Sequence, residues 1–294
     1  MKKLLIILAL FFSVVAQGET HHCFPKNNRY NPVGSKSINT ITKEEFDDSI
    51  KLVKSIYEPI FKEKYKANLV IEEKWDDATV NAYAQQSGSN WKVSMFGGLA
   101  RDPLVTKDGF TAVICHEIGH HVGGAPQKGG IMGTWASNEG QADYFATSKC
   151  LRKVYEKELN STIEFYSRKD LTEDQKIAKK ACDETYSNNA DAAVCFRSAL
   201  AGESLAKLLG KLGGTPEVAF GKPDAAVVAK TNHNHPKGQC RMDTYFQGAL
   251  CDVDHMIWPS NKDASEGYCS SKSGHKIGAR PLCWFNPKEY GLDL

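Results

Sequence analysis

The stretch GFTAVICHEIGHHVGG, residues 109–124, places three histidines and a glutamate within six positions of an apolar segment. Its periodicity predicts a helix over residues 110–122, ended by the two glycines that follow. His116 and His120 are four residues apart, so they project from one helix face and can share one zinc ion. Glu117 lies beside that face and can reach a water on the ion without binding the ion. The stretch therefore predicts a zinc site with Glu117 as its general base.

The alternative interpretation is a helix that carries surface histidines. Val113, Ile114 and Cys115 run directly into His116, and such an apolar lead is typical of a buried helix. Unpaired histidines in a buried helix would be costly. Gly119 also allows another backbone to approach the helix closely. We therefore favour the metal site.

A catalytic zinc takes three protein ligands and keeps one position for water. The third ligand is expected from SNEGQADYFA, residues 137–146, where Glu139 and Asp143 share a helix face. We predict Glu139 as this ligand and Asp143 as the hydrogen-bond partner of the free ring nitrogen of His116 or His120. The alternative for Glu139 is a solvated helix start, where the helix dipole favours acids.

This two-part motif resembles that of the gluzincin metallopeptidases, in which a glutamate ligand and an aspartate four residues later follow on the next helix. The finer resemblance is to the CAAX-prenyl-protease-like family and its soluble minigluzincin relatives. Residues 80–84, VNAYA, resemble that family's V-N-A-F-A strand, and His235-Pro236-x-x-x-x-Arg241 resembles its H-P-x-x-x-x-R motif. The likeness covers roughly residues 42–245. It implies a zinc endopeptidase with Zn²⁺ as cofactor and peptides or proteins as substrates.

The order of helix, strands and further helices predicts an α+β fold rather than a wound α/β sheet. The resemblance specifies a zincin-like (minigluzincin) domain with a small mixed sheet, a metal-binding helix and a mainly helical second half. It also implies that His235 donates to the oxygen that becomes negative during catalysis, and that Arg241 orients the site or a substrate carbonyl. His233 is a competing donor, and the alternative for His235 is an ordinary loop histidine beside Pro236.

A peptide substrate must lie extended across the metal. We predict that it pairs with the strand at residues 91–96, through an edge that carries Trp91, Val93 and Met95. The alternative is an ordinary strand covered on both sides.

The rest of the chain is organised around this motif. Further helices are predicted at residues 42–61, 139–157, 171–187 and 192–212, and further strands at 69–71 and 80–84. The region 213–294 is rich in Gly, Pro, Ser and Cys and is expected to be irregular and tied by disulfides. The predicted domains are a signal peptide (1–18), an extended lead-in (19–41), a catalytic domain (42–250) and a cysteine-containing C-terminal extension (251–294).

The N-terminus combines two lysines with an apolar run over residues 4–15 and small residues at a cleavage position, which is typical of a signal peptide. The alternative, a membrane anchor, needs about 20 apolar residues. We therefore predict export to the periplasm or the extracellular space, with no stable membrane insertion after signal removal. Without Lys2 and Lys3 the chain has 35 basic and 35 acidic residues, which argues against nucleic acid as a partner.

The nine cysteines fit an oxidising compartment, where such residues usually pair. Eight lie away from the histidine motif, so Cys115 is the expected odd one, and the connectivity of the others stays open. His21, His22 and Cys23 are interpreted as a mobile end with one disulfide. The alternative is that they bind metal or block the zinc in a precursor.

The sequence thus predicts a secreted zinc-dependent endopeptidase. One alternative keeps the zinc but changes the substrate to cell-wall peptide or another amide. Another is a non-catalytic, zinc-stabilised secreted binding protein, against which Glu117 argues because a structural site needs no base. The sequence leaves the natural substrate and the oligomeric state open.

Overall fold

The computed structural model describes residues 20–35, 41–128, 134–215 and 217–292. The predicted signal peptide lies outside these residues. The strands are β1 (Thr20–His22), β2 (Asn68–Lys74), β3 (Ala82–Ser87) and β4 (Asn90–Phe96). The helices are α1 (Lys43–Ile60), α2 (Gly97–Ala100), α3 (Lys107–Val122), α4 (Glu139–Phe145), α5 (Leu151–Lys157), α6 (Leu159–Tyr166), α7 (Glu173–Thr185), α8 (Asn189–Leu212) and α9 (Gly238–Leu250).

The four strands form one small mixed sheet in the order β1-β3-β4-β2. Strand β2 runs parallel to β4, while β3 is antiparallel to both β4 and β1. Strand β1 adds only three residues to the outer edge of β3, with His22 opposite Tyr83. The predicted α+β class with a small mixed sheet is therefore confirmed, and β1 is an addition that the predicted extended lead-in did not contain.

The predicted substrate edge on β4 is wrong. Strand β4 lies inside the sheet, with β2 bonded to one side and β3 to the other along its length. The backbone groups of Trp91, Val93 and Met95 therefore already have partner strands, and no peptide can add there. The histidine helix packs against β3 and β4, and the outer side of β3 is paired with β1 from Tyr83 to Gln85.

Helix α3 is the central element of the fold. Thr106 caps its start by accepting a hydrogen bond from the Gly109 N–H, and every residue from Gly109 to Val122 is buried. It contacts α1, α4, α8 and the sheet, which explains why its apolar residues surround it instead of forming one stripe. A Cβ at Gly119 would lie 3.0 Å from the Cα of Ala142, so the predicted close approach of another backbone is present, and that backbone is α4.

The predicted helix over residues 139–157 is interrupted by a π-helical turn, Ala146–Cys150, between α4 and α5. A disulfide joins Cys150 to Cys115 on α3. The prediction that Cys115 is the unpaired cysteine is therefore wrong. Being one residue before His116, Cys115 points about 100° away around the helix axis, towards this turn and away from the histidine face.

The C-terminal region is only partly irregular. Helix α9 was missed because it lies among Gly, Pro and Cys residues, and the short α6 and α2 were missed as well. Two disulfides, Cys240–Cys283 and Cys251–Cys269, tie the rest of this region to α9 and to the residue that follows it. The prediction that disulfides hold this region is therefore confirmed. A further disulfide, Cys182–Cys195, joins α7 to α8.

Among the described residues, no helix is both long and apolar enough to cross a bilayer.

All nine cysteines are described, and the four disulfides leave Cys23 as the free thiol. We expect alkylation of the unfolded, chelator-treated protein without reductant to label Cys23 alone, because disulfide sulfurs do not react with alkylating agents. Peptide mapping by mass spectrometry measures this. A label on Cys115 in place of Cys23 would contradict the pairing, and a fully reduced sample labelled at every cysteine is the control.

Candidate metal centre

The two histidines of α3 and the first residue of α4 meet in the interior. Asn138 caps α4 by accepting a hydrogen bond from the Gln141 N–H, and this capping sets the start of the helix at Glu139. The side chains of His116, His120 and Glu139 are fully buried, and their candidate ligand atoms all lie within 4.8 Å of one another. The structure thus brings together the three residues predicted as metal ligands.

The distances suit a zinc ion. Oε2 of Glu139 lies 3.4 Å from Nε2 of His116, and Oε1 lies 3.8 Å from Nε2 of His120. Two atoms bound tetrahedrally at about 2.1 Å from zinc are about 3.4 Å apart. The nitrogen and oxygen atoms are also those that zinc prefers. The donor set present therefore fits this metal.

Each imidazole has an oxygen atom next to its other ring nitrogen. Nδ1 of His116 lies 2.7 Å from Oδ1 of Asp143, and Nδ1 of His120 donates to the Ser137 carbonyl at 2.8 Å. Both Nε2 atoms are thereby directed at Glu139, in the tautomer that can bind a metal. Asp143 was predicted to contact either histidine, and it contacts His116. The Ser137 carbonyl was not anticipated, because it depends on the path of the chain between the helices.

Asp143 is itself held by α9. Arg241 donates from Nε and Nη2 to its two oxygens at 2.6 Å each, and the Tyr245 hydroxyl donates to Oδ1. Burial alone would raise the pKa of Asp143, but the charge of Arg241 and then that of His116 hold it below its usual value. Arg241 therefore lies behind Asp143, fully buried. Tyr245 was missed, although its spacing of four from Arg241 on a helix is a usable signal.

Glu117 faces the same interior space. Its side chain is fully buried, and neither carboxylate oxygen has a hydrogen-bond partner among the described residues. Burial, opposed by His116 and aided by the charge of Glu139, raises the pKa of Glu117 to about 8. Burying a carboxyl group without hydrogen-bond partners is costly, so its presence here points to a ligand that binds at this place.

Two further groups surround Glu139. Nε2 of His235 lies 3.4 Å from Oε2, and the ammonium of Lys128 lies 3.1 Å from Oε1. His233, the competing candidate, instead has Nδ1 3.3 Å from the amide nitrogen of Asn138. The structure therefore brings His235, and not His233, to the carboxylate. Lys128 was not predicted, because nothing in its sequence neighbourhood marks it.

The N-terminal segment also enters the site. Cys23 is fully buried, and its sulfur lies within 4.8 Å of candidate ligand atoms of both His116 and Glu117. The carbonyl of His22 accepts a hydrogen bond from Nε2 of His235 at 2.9 Å. The interpretation of residues 21–23 as a mobile end with a disulfide is therefore wrong for Cys23. The odd number of cysteines was the available signal.

The C-terminal extension supports the glutamate helix from behind. The Trp284 ring packs directly against Gly140, where even a Cβ would lie 2.4 Å from the ring. Arg280 donates to the side chain of Gln141 at 2.7 Å, and Tyr144 donates to the Gly278 carbonyl. The extension therefore fixes α4 on the side opposite α3.

A family model described as peptidase family M48 matches residues 55–244, more than half of the chain. The matched range contains both metal-ligand helices and Arg241. No curated protein and no solved structure matches the chain.

We expect Asp143→Asn to lower the affinity for zinc by about 10- to 100-fold, because His116 loses the partner that orients it. The same change leaves the buried Arg241 without its counter-charge, so the free energy of unfolding of the zinc-free protein should fall by about 3–5 kcal/mol. Competition with a chromophoric chelator measures the first quantity, and urea unfolding measures the second.

The matched control is Asp108→Asn, which breaks another ion pair of α3, with Arg197, whose nitrogens lie 3.0 and 2.8 Å from its two oxygens. It should destabilise the fold and leave the zinc affinity unchanged. Equal zinc affinities of Asp143→Asn and the unaltered protein would remove Asp143 from the centre.

Proposed function

This chain belongs to peptidase family M48, whose members are zinc metallopeptidases of the gluzincin type, and on that premise we propose that it is an exported endopeptidase with Glu117 as general base. The single observation that carries the proposal is the fully buried carboxyl group of Glu117 beside His116, His120 and Glu139, with no hydrogen-bond partner in the described part of the chain. A purely structural zinc site would have no use for this carboxyl group, and burying it there would be costly.

His116, His120 and Glu139 would hold the zinc ion through two Nε2 atoms and a carboxylate. A zinc ion in this position supplies Lewis acidity and makes a water molecule acidic near neutral pH. Asp143 keeps His116 in the metal-binding tautomer, and Arg241 keeps Asp143 charged and oriented. Arg241 is therefore proposed as a positioning residue and not as a group that touches substrate.

Glu117 takes the proton of the water that attacks the peptide carbonyl, and later gives a proton to the leaving amine. Its lack of hydrogen-bond partners among the described residues supports this role, since both oxygens stay available to water and substrate. Burial disfavours its charged form and so makes it a stronger base than an exposed glutamate. A metal ion beside it opposes that effect.

His235 is the proposed donor to the oxygen that gains negative charge as water attacks. Its Nε2 already donates to a peptide carbonyl, that of His22, beside Glu139. A donor that is fixed at such a place stabilises the transition state more than the ground state.

The proposed export agrees with the cysteine chemistry. Eight of the nine cysteines are paired in the structure, which is the usual state in an oxidising compartment. With a signal peptide over residues 1–18 and a lead-in over 19–41, the catalytic unit would extend from 42 to 250. The extension, 251–294, would serve to brace α4.

We expect Glu117→Gln to lower kcat by about 10²- to 10⁴-fold while zinc stays bound, because the amide cannot accept the proton. Cleavage of unstructured proteins and peptides, with zinc content by mass spectrometry, measures both. A chelator should abolish the activity of the unaltered protein, and added zinc should restore it.

The matched control is Glu73→Gln, a change of the same type at an exposed position of β2, which should leave kcat unchanged. Activity that survives both Glu117→Gln and chelation would exclude the proposed mechanism. Cleavage confined to cell-wall peptides would change the substrate class and keep the chemistry. Full zinc binding without any hydrolysis would favour a binding protein.

His235→Ala and His233→Ala form a second matched pair. We expect the first to lower kcat by about 10²- to 10³-fold with little change in KM, and the second to leave kcat unchanged. Steady-state kinetics of zinc-saturated proteins measures the difference. Equal kcat values for the two variants would exclude His235 as the donor.

A further inference from the structure

The free thiol of the protein lies at the predicted metal centre. Cys23 has no surface exposure, and its sulfur is within 4.8 Å of candidate ligand atoms of His116 and Glu117. A proposed metal ligand and the proposed base thus both face this one sulfur. Water would occupy the same place during catalysis, next to the base.

A second observation points to a ligand at this place. Both Glu117 oxygens are completely buried and have no hydrogen-bond partner among the described residues. The space between Glu117, His116 and Cys23 is therefore lined by three groups that can bind a metal or its ligands, and the thiol of Cys23 is not used in a disulfide.

The segment that carries the thiol lies as an extended substrate would. Strand β1 pairs antiparallel with β3, and the Cys23 N–H continues the pairing by donating to the Ala82 carbonyl. The carbonyl of His22 accepts from His235, and the carbonyl of Cys23 accepts from Arg241 at 3.0 Å. The proposed oxyanion donor is thereby occupied by the chain's own backbone.

Hydrogen bonds to the core fix the position of this N-terminal segment. Phe24 is fully buried, its N–H donates to Oδ1 of Asn81, and its carbonyl accepts from the Asn81 amide. Two successive residues, Cys23 and Phe24, are thus held by hydrogen bonds to elements of the core. The position of the sulfur follows from these bonds.

We propose that the Cys23 thiolate is a fourth protein ligand of the metal held by His116, His120 and Glu139, and that it closes the coordination position that catalysis needs. This inference rests on the metal site of the proposed function. On binding, the thiol would release its proton to solvent, as cysteine ligands do; when the segment withdraws, the sulfur would take up a proton again and leave its position to water. A substrate strand needs the edge of β3 that β1 covers, so the displacement that admits substrate also removes the thiol.

Binding of Cys23 to the metal also explains why this cysteine stays a free thiol while the other eight form four disulfides. In an oxidising compartment an odd cysteine is prone to mixed disulfides, and binding to zinc inside the protein protects it. The bound metal would thus hold the peptidase in a latent form with four protein ligands.

Zinc-edge X-ray absorption of the zinc-loaded, full-length mature protein tests the ligand directly. We expect one sulfur at about 2.3 Å together with nitrogen and oxygen atoms near 2.0–2.1 Å. Cys23→Ser should lose the sulfur and keep the other ligands, and Cys23→Ala is the second variant in case the first fails to fold. Absence of sulfur in the unaltered protein, or its persistence in both variants, overturns the proposal.

The matched control is Asn28→Ser, an exposed change in the same N-terminal segment, which should retain the sulfur. Peptide cleavage by Cys23→Ser should exceed that of the unaltered protein by about tenfold or more, which corresponds to about 1.4 kcal/mol of thiolate binding. An unchanged rate overturns the latency.

The outcomes separate this proposal from the proposed function. A zinc–sulfur bond in a protein whose variants cleave nothing supports the ligand and contradicts the peptidase. Chelator-sensitive cleavage without a zinc–sulfur bond does the reverse.

Discussion

The structure depends on the close contact between α3 and α4, which places a buried carboxylate against two buried imidazoles. Gly119 makes this contact possible, because any side chain there would press on the backbone of Ala142. Glu139 is completely buried, and burying a charge is expensive unless an opposite charge is beside it. The low pKa of this carboxyl group, which persists against the effect of burial, reflects the imidazoles of His120 and His116 around it. A metal cation is the partner that this donor set suits best.

The rest of the fold keeps that geometry rigid. Asp143 is fixed by two bonds from Arg241, and Arg241 comes from α9, far along the chain. The disulfide from Cys240 on α9 to Cys283 then brings Trp284 against the outer side of α4. Helices α3 and α4 are thus held on one side by the Cys115–Cys150 disulfide, which joins α3 to the π-helical turn after α4. On the other side, the C-terminal extension packs against α4. This arrangement gives the buried ion pair little freedom to relax, which is what a metal site of defined geometry requires.

The sheet edge beside the centre is partly covered by the chain's own N-terminal segment. An edge strand beside a peptidase site offers backbone groups that an extended peptide can use. Here β3 is the strand next to the site, and its first half is paired with β1. Strand β4 lies inside the sheet and has no free edge. The first described residues of the chain therefore occupy the edge at which we propose that a substrate binds. Under the proposed latency, the N-terminal segment and a substrate would compete for the same backbone hydrogen bonds, so that one would exclude the other.

The sequence by itself determined the features that depend on residues only a few positions apart in the chain. His116, Glu117 and His120 share one helix region, and Glu139 and Asp143 share another, because a helix returns to the same face about every four residues. The α+β class and most helices followed from local periodicity in the same way. Only the tertiary structure decided that Cys115 pairs with Cys150, that α9 carries Arg241 to Asp143, that β4 is covered, and that Cys23 reaches His116. Each of these joins residues far apart in the chain, and such contacts are set by packing of the whole core, which no local pattern of residues encodes.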